Sequence, residues 1–168
     1  MSDFRTLTVE RSTATGHKLS RYDGACGNVH GHNINWDIEV EVRMDEDDKS
    51  NMPVDLKDIS GLVDQLDHAL VLASDDPMLE LDPDHDPEDD IVPSYPYQYE
   101  SEAYGEVWVF EGDPTCEVVS KWAADELVEI DPICSARVTA YETAKYGIKA
   151  TSYNTTKDDY DEESERVL

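Results

Sequence analysis

Positive charge is what this sequence most lacks. Lys and Arg number 13 against 40 Asp and Glu, a formal net charge of −27 over 168 residues. Nucleic-acid binding needs a basic face to neutralise phosphates, and adhesion to anionic lipid needs basic clusters. Both partner classes are excluded. Cysteine is scarce too: 3 residues, an odd number in a chain without a secretory apolar segment, point to a reducing cytoplasm. No apolar run approaches the ~20 residues that a membrane helix requires.

The acids are spread along the chain and apolar periodicity survives between them, so disorder is a poor account of the composition. A folded protein built for concentrated salt fits better, because screening over about 3 Å at molar salt removes self-repulsion. The length suits one domain with a sizeable core. It is expected over residues 1–156, with an acidic tail over 157–168 and an acidic, proline-rich excursion over 74–104.

Apolar residues fall at 34, 36, 38, 40, 42 and 44. That period of two predicts a half-buried strand from His30 to Met44. Residues 4–15 read as a preceding strand, and residues 20–28, with Gly24 and Gly27, as a loop. Leu56, Ile59, Leu62, Val63 and Leu66 recur at helical spacing behind Asp55, a candidate N-cap. This helix is expected to run into residues 67–72. The excursion follows, with a short strand over 106–110. Asp113-Pro114-Thr115 starts a second helix carrying Val118, Val119, Trp122, Ala123 and Leu127 on one side. Residues 134–143 alternate again, and residues 147–153 form a last strand. The order predicts an α+β domain with one antiparallel sheet.

His30 and His32 stand at i and i+2 as the long strand begins, so both imidazoles leave one face. His17, one strand away, completes a three-histidine site if the two strands pair; otherwise the three are dispersed. Zn²⁺ favours imidazole nitrogen, and catalytic zinc sites have three protein ligands and one open position. Cys26 lies in a glycine-flanked loop nearby. A thiolate beside a cation acts as base or nucleophile, whereas Cys116 and Cys134 read as small buried hydrophobes. Asp67-His68 is either half of a proton relay or a helix-end polar pair. His85, among aspartates, reads as solvated loop. Glu117 falls in the first turn of a helix, where the dipole favours a carboxylate. Glu142 ends a strand in phase with Ala136, Val138 and Ala140, and an acid on an apolar face needs a partner, such as adjacent N–H donors of a heterocycle.

Cys26-x₃-His30-Gly31-His32, the upstream His17, Asp67-His68, Pro114-Thr115-x-Glu117 and Glu142-Thr143 together resemble the 6-pyruvoyltetrahydropterin synthase superfamily. The spacing of the first motif is similar to its 6-carboxytetrahydropterin synthase branch, in the queuosine and archaeosine pathway. The resemblance implies the tunnelling fold, a four-stranded antiparallel sheet with two helices on one face, assembled into hexamers of two stacked trimers. It implies zinc on His17, His30 and His32, and proton transfer by Cys26, Asp67 and His68. Glu142 would anchor the pterin ring, with Thr115, Glu117 and Thr143 nearby. The implied substrate is 7,8-dihydroneopterin triphosphate, and the products 6-carboxytetrahydropterin, acetaldehyde and triphosphate. Rival readings are the pyruvoyl synthase reaction and a non-catalytic pterin- or metal-binding subunit. A triphosphate approaching so acidic a chain needs local positive charge from Lys18, Arg21 or a neighbouring subunit.

Overall fold

The computed structural model describes residues 3–44, 51–86, 94–142 and 149–156. The alternating stretch forms strand β2 (His30–Met44), with Ile34, Trp36, Ile38, Val40 and Val42 buried on one face. It pairs antiparallel along its whole length with β1 (Asp3–His17), from Asp3 opposite Met44 to His17 opposite His30. β1 therefore extends two residues past the predicted end, and His17 is its last residue. Two more antiparallel strands, β6 (Ile133–Tyr141) and β7 (Lys149–Thr155), continue the sheet beyond β2.

Helix α1 (Leu56–Asp64) starts as predicted, with the Asp55 carboxylate accepting from the Lys57 N–H at 2.9 Å. Helix α3 (Cys116–Leu127) follows Asp113-Pro114-Thr115. Ile59 and Val63 of α1 and Val119, Trp122, Ala123 and Leu127 of α3 share one core with the buried face of β2 and with Ala136, Val138 and Ala140 of β6. The two long helices thus cover one face of the sheet.

The sheet has seven strands rather than the expected four, and it is not purely antiparallel. Leu70–Ala73 is strand β3, not a continuation of α1. It runs parallel both to the end of β1 and to β5 (Gly105–Phe110), with β4 (Tyr97–Ser101) antiparallel at the outer edge. All four residues of β3 are buried, as expected of a parallel strand covered on both faces. Such a continuous apolar run carries no periodicity to separate it from a buried helix. His68, at φ 64°, breaks the helical path just before it.

The excursion is also more structured than predicted. Its short helix α2 (Pro77–Leu81) is capped by Asp76 and buries Leu79 against Leu70, Leu72, Val107 and Val109. Val71, Trp108 and Phe110, of opposite parity, belong to the main core, so α2 packs on the face away from α1 and α3. His85, expected in solvent, is half-buried, its Nε2 2.8 Å from the Tyr97 hydroxyl. The tail over 157–168 lies outside the described residues.

On the face away from the long helices, Glu10 stands directly across from Asp37, with Glu39 and Glu41 further along the same side of β2. Like charges in direct cross-strand register destabilise a sheet, and the rest of the acidic surface adds to the repulsion. Denaturant unfolding in dilute buffer and in molar KCl is therefore expected to give a much higher midpoint in salt. Equal midpoints would remove the high-salt reading of the charge.

Candidate metal centre

The β1–β2 register brings the three histidines together. His17 is opposite His30, His32 is two residues further on, and all three side chains share the face that carries α1 and α3. One ring nitrogen from each lies within 4.8 Å of the others. Ring centroids are 4.5, 5.2 and 4.8 Å apart.

Backbone carbonyls set the tautomers. His17 Nδ1–H donates to the Pro114 carbonyl at 3.1 Å, and His30 Nδ1–H donates to the Asn28 carbonyl at 2.7 Å. A carbonyl only accepts, so each neutral ring keeps its proton on Nδ1 and turns a lone pair outward at Nε2. Those two Nε2 atoms face each other at 3.1 Å. Two lone pairs at that distance repel unless a cation lies between them. Protonation of His17 is disfavoured, because burial holds its pKa below the usual imidazole value despite the Pro114 bond and the nearby Glu142 charge. A metal ion reconciles the geometry: two nitrogens on a tetrahedral zinc lie about 3.3 Å apart. Carbonyl partners on the far nitrogen are the usual way in which a ligating imidazole is oriented.

The Glu142 carboxylate, just past the end of β6, reaches the same cluster, 3.8 Å from His17 Nε2 and 3.5 Å from His32 Nε2. Among the described residues its ion-pair partners are thus these two imidazoles. Next to it, Cys116 is buried, its thiol pushed up to about 11 by burial and by the Glu142 charge. Thr115 is the half-buried N-cap of α3 and Glu117 an exposed residue of its first turn. Thr143 lies outside the described residues.

Cys26 sits half-buried in a 3₁₀ turn (Ala25–Gly27) of the β1–β2 loop. The Gly27 Cα approaches the Tyr22 carbonyl so closely that a Cβ would lie 2.6 Å from its oxygen, which requires glycine there. The loop meets the cluster through Asn28, whose carbonyl orients His30. Asp67 and His68 form their pair, with His68 Nδ1 3.0 Å from Asp67 Oδ2 and the imidazole 82% exposed. The other Asp67 oxygen accepts from the Ala14 N–H at 2.7 Å, a bond that holds the carboxyl below its usual range. Among the described contacts, none joins this pair to the three histidines within the chain.

Lys18 and Arg21, the expected sources of positive charge, are engaged by the chain's own acids. Lys18 Nζ is 3.0 Å from Asp76 and Arg21 is 2.8 Å from Asp75. Burial alone would raise the Asp76 pKa, yet hydrogen bonds from Ser20, the Met78 N–H and Lys18 bring it below the ordinary carboxylate value. The roles of Asp76, Asp113 and the Pro114 carbonyl were not read from the sequence. Asp113-Pro114 reads there only as a helix start, and one aspartate among many in 74–90 carries no local signal.

Fold and site together define an α+β protein whose sheet, bearing two helices on one face, holds a three-histidine centre fit for a metal ion. The chain belongs to the 6-pyruvoyl tetrahydropterin synthase family, whose description matches residues 6–152. A probable 6-carboxy-5,6,7,8-tetrahydropterin synthase of Halobacterium salinarum is 29% identical over 80 residues, 45% of this chain. The match spans about half the length of that relative (51%). Among solved structures, an uncharacterised protein from Wolinella succinogenes superposes with a TM-score of 0.63 at 22% identity, covering 91% of this chain and 99% of its own. The 6-pyruvoyl tetrahydropterin synthase of Plasmodium vivax gives 0.56 at 18% identity, covering 92% and 99%. At these identities the structures share the tunnelling fold. Among the described residues, no helix is long and apolar enough to cross a membrane.

Proposed function

We propose that this chain is a zinc-dependent 6-carboxytetrahydropterin synthase of 7-deazaguanine biosynthesis. It would convert 7,8-dihydroneopterin triphosphate to 6-carboxytetrahydropterin, acetaldehyde and triphosphate. The observation that carries the reading is the convergence of His17, His30, His32 and Glu142 on one face, at the loop that holds Cys26. The Cys26-x₃-His30 spacing and the Halobacterium relative's name support the carboxy branch.

When bound, zinc would supply Lewis-acid stabilisation of negative charge developing on the substrate side chain. His17, His30 and His32 would hold it, with Nδ1 fixed by Pro114 and Asn28. Glu142 would accept from adjacent pterin N–H groups and so place the side chain at the histidines, with Thr115, Glu117 and Thr143 around the ring. Cys26 would exchange a proton with that side chain. Asp67, anchored on Ala14, would hold the His68 imidazole in one tautomer. Because this pair is exposed and apart from the cluster within one chain, its share of the chemistry is assigned to the assembled protein. A hexamer of two trimers is proposed, in which β4 and β7, the two ends of the sheet, would meet the sheets of neighbouring subunits.

The family's description favours a rival, the pyruvoyl product from the same substrate. Incubation with dihydroneopterin triphosphate in molar salt, followed by mass analysis of the pterin, separates the two. Acetaldehyde and a carboxy-pterin are expected; a pyruvoyl-pterin would transfer the chain to the rival reaction, and intact substrate would defeat both.

Glu142→Gln keeps the size of the side chain and removes its charge. Losing a charge-assisted bidentate contact is expected to cost a few kcal/mol, roughly a hundredfold in pterin affinity. Titration calorimetry with a non-reacting pterin reads this, and wild-type affinity in the variant would return Glu142 to its contacts with the imidazoles alone.

A further inference from the structure

The loop that carries Cys26 is held by two carboxylates from distant parts of the chain. Asp113, before α3, accepts from two consecutive backbone N–H groups, Ser20 at 2.8 Å and Arg21 at 3.1 Å. Asp76, at the start of α2, has a fully buried side chain. It accepts from Lys18 Nζ at 3.0 Å and from the Ser20 hydroxyl. Residues 18, 20 and 21 are thereby pinned on both sides of Leu19. The Leu19 N–H in turn donates to the Cys26 carbonyl at 2.9 Å. A short chain of bonds thus runs from Asp76 and Asp113 to the backbone of the thiol residue. The same segment fixes the metal centre, since Pro114, next to Asp113, accepts from His17.

We propose that Asp76 and Asp113 are positioning residues that set the Cys26 turn relative to the three histidines. The 74–104 excursion thereby acquires a task, because its first turn delivers Asp76 to the loop. Neither carboxylate touches the cluster; each acts through the backbone of residues 18–21. The inference rests on the proposed role of Cys26 for its effect on turnover, but not for its effect on the loop. A buried carboxylate needs a charged partner to stay ionised, and Lys18, the neighbour of His17, supplies it to Asp76. Displacing a reacting group by about 1 Å costs on the order of a hundredfold in rate, so a loop held only at its ends would be a poor carrier for a proton-transfer group.

The test cuts the Asp76 tether from the loop side, which leaves the Asp76 cap of α2 intact. Lys18→Met with Ser20→Ala removes the Asp76 contacts, and Asp113→Asn removes one of the two backbone bonds. Each full-length variant is loaded with Co²⁺ in molar KCl, and its visible spectrum reports the histidine centre. Cys26 is then alkylated with iodoacetamide; Cys116 and Cys134 are each 3% exposed and react slowly. The expected result is a wild-type cobalt spectrum, several-fold faster alkylation of Cys26, and kcat lower by about a hundredfold with KM little changed. Ser20→Thr, which keeps the hydroxyl, should restore both rates. If the double variant does not fold, Ser20→Ala alone, which removes no charge, takes its place. Wild-type alkylation in Ser20→Ala and Asp113→Asn would overturn the tether. Faster alkylation with unchanged kcat would overturn its role in the reaction. Should the wild type fail to turn over the pterin, the alkylation comparison still decides the tether, and only the proposed function falls.

Discussion

Cys26→Ala is expected to keep its metal and its fold while losing turnover by roughly 10²–10⁴, the usual cost of removing a general acid or base. Retention of metal follows from the donor set: three imidazoles converge without sulfur, and they complete the protein ligands of a catalytic zinc site. Retention of fold follows from the surroundings. Cys26 is half-buried in a turn outside both apolar cores, so truncation leaves little cavity, and substitutions away from a core cost little. Metal content, an unfolding curve and steady-state kinetics on one preparation separate the outcomes. Loss of metal would make the thiol a ligand, and loss of stability would make it structural. Full activity would show it to be incidental and would withdraw the assignment to this enzyme branch.

His32→Ala is expected to release the metal altogether. With two imidazoles left, the site keeps His17 and His30, whose Nε2 atoms already face each other at 3.1 Å, but it loses the third donor that closes a tetrahedral set. Dialysed protein should fall from one equivalent of metal to almost none by elemental analysis. Chelation of the wild type should lower its thermal midpoint, because a ligand that binds only the folded state stabilises it in proportion to RT ln(1 + [L]/Kd). The variant should be insensitive to chelator. One tightly held equivalent in His32→Ala would remove that residue from the centre.

Much of this site was legible in the sequence because it is encoded over short distances. His30 and His32 stand two residues apart on a strand whose alternation continues to Met44, so the shared face needs no tertiary information. Asp55 was legible as a helix start for the same reason: a cap acts on N–H groups two or three residues away. The Asp67–His68 pair forms between neighbours. Its exposure could not be foreseen, since that depends on where β3 docks.

Elsewhere local signals misled. Leu70-Val71-Leu72-Ala73 continues the apolar composition of α1, and nothing within those residues says that β1 and β5 will flank it in parallel. Met78, Leu79 and Leu81 are too few to show a helical period, so α2 was hidden among prolines and aspartates. His85 read as solvated because its partners, Tyr97 and Tyr99, arrive only when β4 pairs with β5.

The sequence by itself determined the long strand, the two long helices, the His30–His32 pair and the membership of this family, since each rests on spacing within about 15 residues or on motifs of fixed order. Only the tertiary structure decided the seven-stranded sheet, the turn of Glu142 toward His17 and His32, and the hold of Asp76 and Asp113 on the Cys26 loop. The aspartate contacts close over 56 to 93 residues from Lys18 and Ser20. The reason is physical: a strand or a carboxylate carries no record of a partner that far away, and loop-closure entropy leaves the choice to whatever burial and hydrogen bonding repay it.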